Sequence, residues 1–122
     1  MLEIGGGAGA AARAVAARLT TGHILAVDRS VRAVAQVRTN CAAGIASGRM
    51  RVQHVAAEDF VLEPGDEVFD IAFAVRFGAL DGRHAEAGRQ ALQRIAAALS
   101  LDGRLYIDGG RPLRAILPIA QR

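Results

Sequence analysis

Glu3, Gly5, Gly7, Gly9 and Asp28 are the residues of this chain whose types and spacing could do chemistry. Glu3-Ile4-Gly5-Gly6-Gly7-Ala8-Gly9 has the form E-x-G-x-G-x-G and opens onto an alanine-rich run. Nineteen residues after Gly9, the apolar run Ile24-Leu25-Ala26-Val27 ends in Asp28. Glycines let a backbone approach a ligand closely at a helix N-terminus. A carboxylate at the end of the next strand can accept hydrogen bonds from two ribose hydroxyls. Strand, glycine loop, helix, strand and terminal carboxylate make a half-site for an adenosine-containing cofactor. The pattern says much less about a second substrate.

The elements that must position these residues follow from apolar periodicity. Residues 2–4 allow a short first strand. A helix is expected over residues 8–19, with Val15 and Leu19 on one face. Residues 23–27 are nearly all apolar, as in a strand covered on both sides. Ser30 stands where a helix N-cap belongs. The helix after it is expected to run to about residue 46, with Val34, Val37, Cys41 and Ile45 as its apolar stripe. Residues 50–55 alternate apolar and polar, the pattern of a strand at a sheet edge. Residues 59–67 form a polar connection with a Pro64-Gly65 turn. Residues 69–75 read as a fourth strand, and 84–100 as a helix with Leu92, Ile95 and Leu99 inward. Asp102-Gly103 turns the chain into a fifth strand at 105–107. The tail from 109 to 122, with Pro112 and Pro118, reads as loop with at most a short helical turn.

Strand and helix alternate, so right-handed crossovers build a doubly wound α/β fold. Five parallel strands in the order 3-2-1-4-5 are expected, with helices on both faces. The switch point lies between strands 1 and 4. Ligands bind at the C-terminal ends of strands beside such a point. Residues 5–9, Asp28, Glu58 and Arg76 would share that edge.

Bulk properties bound the function classes. The chain has 122 residues, which fits one domain over residues 1–122. Apolar residues make up 52% and aromatic ones only 4%; 26 residues are alanine, so the core is built largely from small side chains. All 15 cations are arginine, yet the net charge is only +3 and no basic run is interleaved with aromatics, which argues against a nucleic-acid partner. Charge is uneven: six acids and no base lie between Glu58 and Asp70. Cys41 is the only cysteine, so no internal disulfide can form. His23, His54 and His84 lack metal-ligand spacing, and no metal site is expected. No signal peptide or apolar span long enough for a membrane is present, so a cytoplasmic setting is expected.

Several blocks in order resemble the class I S-adenosylmethionine-dependent methyltransferases. Residues 2–9 are similar to that family's first motif, and Val27-Asp28-Arg29-Ser30 to the acidic end of its second strand. Ala57-Glu58-Asp59 stands where the family places adenine contacts. Phe69-Asp70-Ile71-Ala72-Phe73 and Leu101-Asp102-Gly103-Arg104-Leu105 are similar to the fourth-strand block and the turn before strand 5. The resemblance covers residues 2 to about 109. It implies S-adenosylmethionine as cofactor, held by Glu3, Gly5, Gly7, Gly9, Asp28, Arg29, Ala57 and Glu58, and a small-molecule methyl acceptor. No catalytic base is named, because a nucleophilic acceptor needs none.

The glycines also fit G-x-G-x-x-A from Gly5 to Ala10, a nicotinamide or flavin pattern. Glu3 favours the sulfonium cofactor, since a carboxylate suits a cationic ligand and opposes a pyrophosphate. Departures from the family are visible. Ala56 matches the aspartate that commonly holds the adenine amine. Val75-Arg76-Phe77-Gly78 follows strand 4 where amino-group methylases of the adenine or glutamine type carry Asn-Pro-Pro-Tyr. The helices before strand 1 and the last two strands of the family are absent, which leaves a non-catalytic remnant or partner subunit as the alternative. The open edge of strand 5 is expected to support a homodimer.

Overall fold

The computed structural model describes residues 1–7, 9–74, 85–107 and 114–116. The expectations placed on Val75, Arg76, Phe77, Gly78 and His84 lie outside the described residues.

Strand β1 (Leu2–Ile4) leads through the glycine loop into helix α1 (Ala10–Arg18). Strand β2 (Ile24–Asp28) follows, then helices α2 (Val31–Asn40) and α3 (Ala42–Ala46). Next come strand β3 (Met50–His54), a single 3-10 turn (Ala57–Asp59) and strand β4 (Phe69–Ala74). Helix α4 (Ala85–Ala98), strand β5 (Leu99–Ile107) and strand β6 (Arg114–Ile116) complete the described elements. The sheet order is β3-β2-β1-β4-β5-β6. The first five strands are parallel in the expected 3-2-1-4-5 arrangement.

The central strands are apolar because both of their faces are covered. Side chains alternate across a strand. In β2, Leu25 and Val27 join the core layer under α4, with Ala91, Ile95 and Phe60. Ile24 and Ala26 point the other way, to Ala12 and Ala16 of α1 and to Val37, Cys41 and Met50. Fully buried Phe60, Ile95 and Leu2 each contribute roughly 1.5–3 kcal/mol relative to exposure. The β3 edge position is also as expected: only Met50 of that strand is buried.

Three departures have local causes. The second helix breaks at Cys41, where φ is −118° and ψ 25°. Breaking there lets Gly44 of α3 lie flat on Ala16 and Met50, since a Cβ at Gly44 would sit 3.5 Å from each. β5 starts at Leu99, not after Asp102-Gly103, because Leu99 pairs with Phe69. Pairing then slips, with Ile71 opposite Arg104, and the expected turn becomes an irregularity inside the strand. Third, the tail is not only loop. β6 pairs antiparallel with β5, Leu105 opposite Ile116 and Ile107 opposite Arg114. The edge of β5 expected to be open is thus taken by the chain's own tail.

Candidate functional site

The C-terminal ends of β1 and β2 lie side by side, with Ile4 opposite Val27. The chain leaves β1 through the glycine loop, anchored by the Gly5 N–H donating to the Val27 carbonyl at 2.9 Å. Gly5, Gly7 and Gly9 all have positive φ, at 68°, 60° and 91°. Side-chain-bearing residues adopt this region at a cost. Gly9 has a second constraint. A Cβ there would meet Cys41 Sγ at 3.0 Å and Val37 Cγ2 at 3.1 Å. Gly9 is the N-cap residue of α1 and supplies no side-chain cap, so the first N–H groups of that helix have no capping oxygen from it.

Glu3 owes its position to the period of the strand. Leu2 and Ile4 face the α4 layer, so Glu3 must face the opposite one, between Ala26 of β2 and Phe73 of β4 in register. That layer is apolar, with Ala12, Ala16 and Ala26 beside Ile24, Val37, Cys41 and Met50. Glu3 is 1% exposed, and among the described residues its Oε1 has no hydrogen-bond partner. The carboxyl fills the space in which a Cβ on Gly6 would sit. Burial, reinforced by the negative charge of Asp28, pushes its pKa up to about 7. A buried unpaired carboxyl is costly, and its exceptional position asks for a ligand group to complete it.

Asp28 ends β2 and is half-buried. Its Oδ1 accepts from the Ser30 N–H at 2.9 Å, an Asx turn that fixes the carboxylate's direction. Ser30 Oγ in turn accepts from the Ala33 N–H at 3.1 Å, the expected N-cap of α2. The chain is held to β3 at this point by the Val55 N–H, which donates to the Asp28 carbonyl at 3.0 Å.

The other expected residues divide. Arg29 is exposed; its carbonyl lies 2.9 Å from His54 Nε2, and no described contact directs its side chain into the site. Ala57 is buried in the core under α4. Glu58 is half-buried in the same 3-10 turn, and its carbonyl accepts from Gln90 Nε2 at 2.9 Å. The Ala57–Glu58 turn therefore follows the C-terminal end of β3 and is clamped to α4. Sequence reasoning missed Gly6 and Gln90. Gly6 could have been suspected only as the glycine out of phase with the motif, and Gln90 carried no signal.

His23 belongs to the other end of the sheet. It precedes β2, with Nε2 3.2 Å from Arg51, and burial lowers its pKa. A cleft of about 290 Å³ beside α1 and α3, lined partly by Ala16, Gly44 and Met50, includes none of the expected cofactor residues. Among the described residues no group of histidine, cysteine, aspartate or glutamate could hold a metal ion. Nor is any described helix long and apolar enough to cross a membrane.

The model of the methyltransferase domain family matches residues 1–103. The chain belongs to that family. Its fold is that of the class I S-adenosylmethionine-dependent methyltransferases. No curated protein matches the chain in sequence.

Solved structures of similar fold are longer than this methyltransferase domain. An O-methyltransferase from a trans-AT PKS multienzyme of Brevibacillus brevis, in complex with S-adenosyl-L-homocysteine, aligns with a TM-score of 0.72 at 12% identity. It covers 87% of this chain and 33% of its own. The sugar N-methyltransferase KedS8 from Streptoalloteichus aligns with a TM-score of 0.67 at 20% identity, covering 88% and 39%. The [4+2]-cyclase SpnF aligns with a TM-score of 0.70 at 26% identity, covering 87% and 36%. The present chain thus spans well under half the length of each of these three.

Proposed function

We propose that this domain binds S-adenosylmethionine at the C-terminal edge of β1 and β2 and serves methyl transfer to a small-molecule acceptor. The observation that carries the reading is the buried, unpaired Glu3 carboxyl beside Asp28. Two acids at one strand edge suit a ligand with cationic groups and ribose hydroxyls better than a pyrophosphate. Glu3 and the backbone of residues 5–9 would hold the methionine end. Asp28 would accept from the ribose hydroxyls through Oδ2, and Ala57 and Glu58 would frame the adenine. Arg29 is retained only as a rim residue.

The cofactor, when bound, supplies a methyl group activated by its sulfonium. The chain's own contribution is positioning, which suffices for in-line displacement when the acceptor is already nucleophilic. A small acceptor is proposed because KedS8 is a sugar N-methyltransferase. The cytoplasm, where a lone cysteine stays reduced, is the compartment proposed. Homodimerisation is proposed through the outer side of β6, since β5 is already paired.

Isothermal titration with S-adenosylmethionine and with NADH tests the cofactor. Tighter binding of NADH overturns the assignment. A second reading, cofactor binding without methyl transfer, is favoured by one observation: SpnF, a [4+2]-cyclase, shares the fold. Transfer of labelled methyl to any component of a metabolite extract would exclude it.

A further inference from the structure

The glycine loop, β1 and β2 enclose an acid with no base to answer it. Glu3 is packed against the Gly6 backbone, its Oε1 without a partner. The groups facing it from each neighbouring element are few. β2 brings Asp28, whose charge opposes a second anion. β4 brings Phe73 at the paired position. The junction of α2 and α3 brings Cys41, itself buried and held in its thiol form, with Sγ 3.6 Å from the Gly9 carbonyl. α1 brings Arg13, whose charge acts on Cys41, as that of Glu3 also does, and no hydrogen bond joins it to the Glu3 Oε1. Among the described residues, then, no cation of the chain hydrogen-bonds the Glu3 Oε1. A cation arriving with a ligand would be the first.

We propose that Glu3 holds a proton in the ligand-free domain and gives it up to solvent when the cationic end of the cofactor binds, so that cofactor binding and proton release are linked. The step balances simply. The Glu3 O–H bond breaks, the proton leaves to water, and the carboxylate formed faces the ligand's positive charge. This rests on the cofactor reading above and extends it to a property of the empty site. The geometry sets the direction of the linkage. A buried carboxyl whose Oε1 lacks a partner is biased toward its neutral form until a ligand replaces the missing solvation.

The consequences are measurable. With half-ionisation near pH 7 in the free domain, about half a proton is released per cofactor at that pH, rising toward one proton as pH falls. Affinity falls on the order of tenfold between pH 7 and pH 5.5. That window also keeps the ligand's own amine protonated, since an α-amino group titrates at about 7.7–8.0.

The experiment is titration calorimetry with S-adenosylmethionine, at pH 5.5 to 7, in pairs of buffers that differ in ionisation heat. The wild-type chain and Glu3→Gln are compared, because their difference removes every group the two share. The wild type is expected to release protons and Glu3→Gln to release none, with an affinity independent of pH. In parallel, carboxyl-carbon NMR of the ligand-free wild type follows Glu3 directly and needs no variant. Its resonance is expected to titrate near pH 7 alone, and to stay ionised across the window with cofactor bound. Equal proton release by both proteins, or a free Glu3 that titrates below about pH 5, overturns the proposal and leaves the cofactor reading standing. Failure of S-adenosylmethionine to bind at all overturns both.

Discussion

Replacing Glu3 by glutamine is expected to change how the domain's stability depends on pH, even with no ligand present. Glu3 has a folded pKa of about 7 against 4.5 for the free side chain, because burial and Asp28 both oppose its ionisation. Between those two values the native state keeps a proton that the unfolded chain has released. Stability must therefore fall as pH rises through that window. The contribution is fully present below pH 4.5 and lost above about pH 7. One pKa unit is worth about 1.4 kcal/mol, so the whole excursion is roughly 3 kcal/mol, a large share of a small domain's stability. His23 acts in the opposite sense, since its folded pKa is lowered and its contribution grows as pH rises. The raw curve mixes such terms, whereas the difference between wild type and Glu3→Gln isolates the carboxyl. Glutamine keeps the shape and adds a cost that does not vary with pH. Urea unfolding at half-unit steps from pH 4.5 to pH 8 gives the comparison. Relative to the variant, the wild type should lose about 3 kcal/mol across the range. A difference that stays flat within about 0.5 kcal/mol would mean that Glu3 is solvated or paired in the folded domain, and the account of the site would fail with it.

Gly9→Ala should cost more stability than Gly7→Ala in urea unfolding. Both have positive φ, worth roughly 1–3 kcal/mol to a side-chain-bearing residue. Only Gly9 also faces Cys41 and Val37, while nothing lies near Gly7. Asp28→Ala should weaken S-adenosylmethionine binding about ten- to hundredfold by calorimetry, the value of a charged hydrogen bond of roughly 1.5–3 kcal/mol. Asp70→Ala, at an exposed position of the central strand β4 and acting on the opposite end of the sheet at Met1, should leave the affinity unchanged. Sedimentation velocity at micromolar concentration should show a dimer that dissociates on dilution; a monomer at every concentration would remove the proposed pairing through β6.

What could be read in advance was what short-range chemistry determines. The continuous apolar run of residues 24–27 announces a strand covered on both faces, and two core layers do receive its alternate side chains. Ser30 announces a helix start, and its Oγ caps α2. The three glycines of the motif announce a loop with unusual dihedrals, and all three have them. What could not be read depended on partners distant in sequence. Leu99 fits the helical period of Leu92 and Ile95, yet Phe69 draws it into the sheet. Nothing near Cys41 signals a break; the break lets α3 settle on Ala16 and Met50. β6 exists because β5 offers an edge, not because Arg114-Ala115-Ile116 favours a strand. The site shows the same division within a single residue. Sequence marked Glu3 as a carboxylate in a glycine motif, and so as something for a cation to meet. Only the register, with Ala26 on one side and Phe73 on the other, shows how little else there is for it to meet. The motif names the acid, and the described fold, by burying it with no partner for Oε1 among the described residues, gives that acid its affinity for a proton.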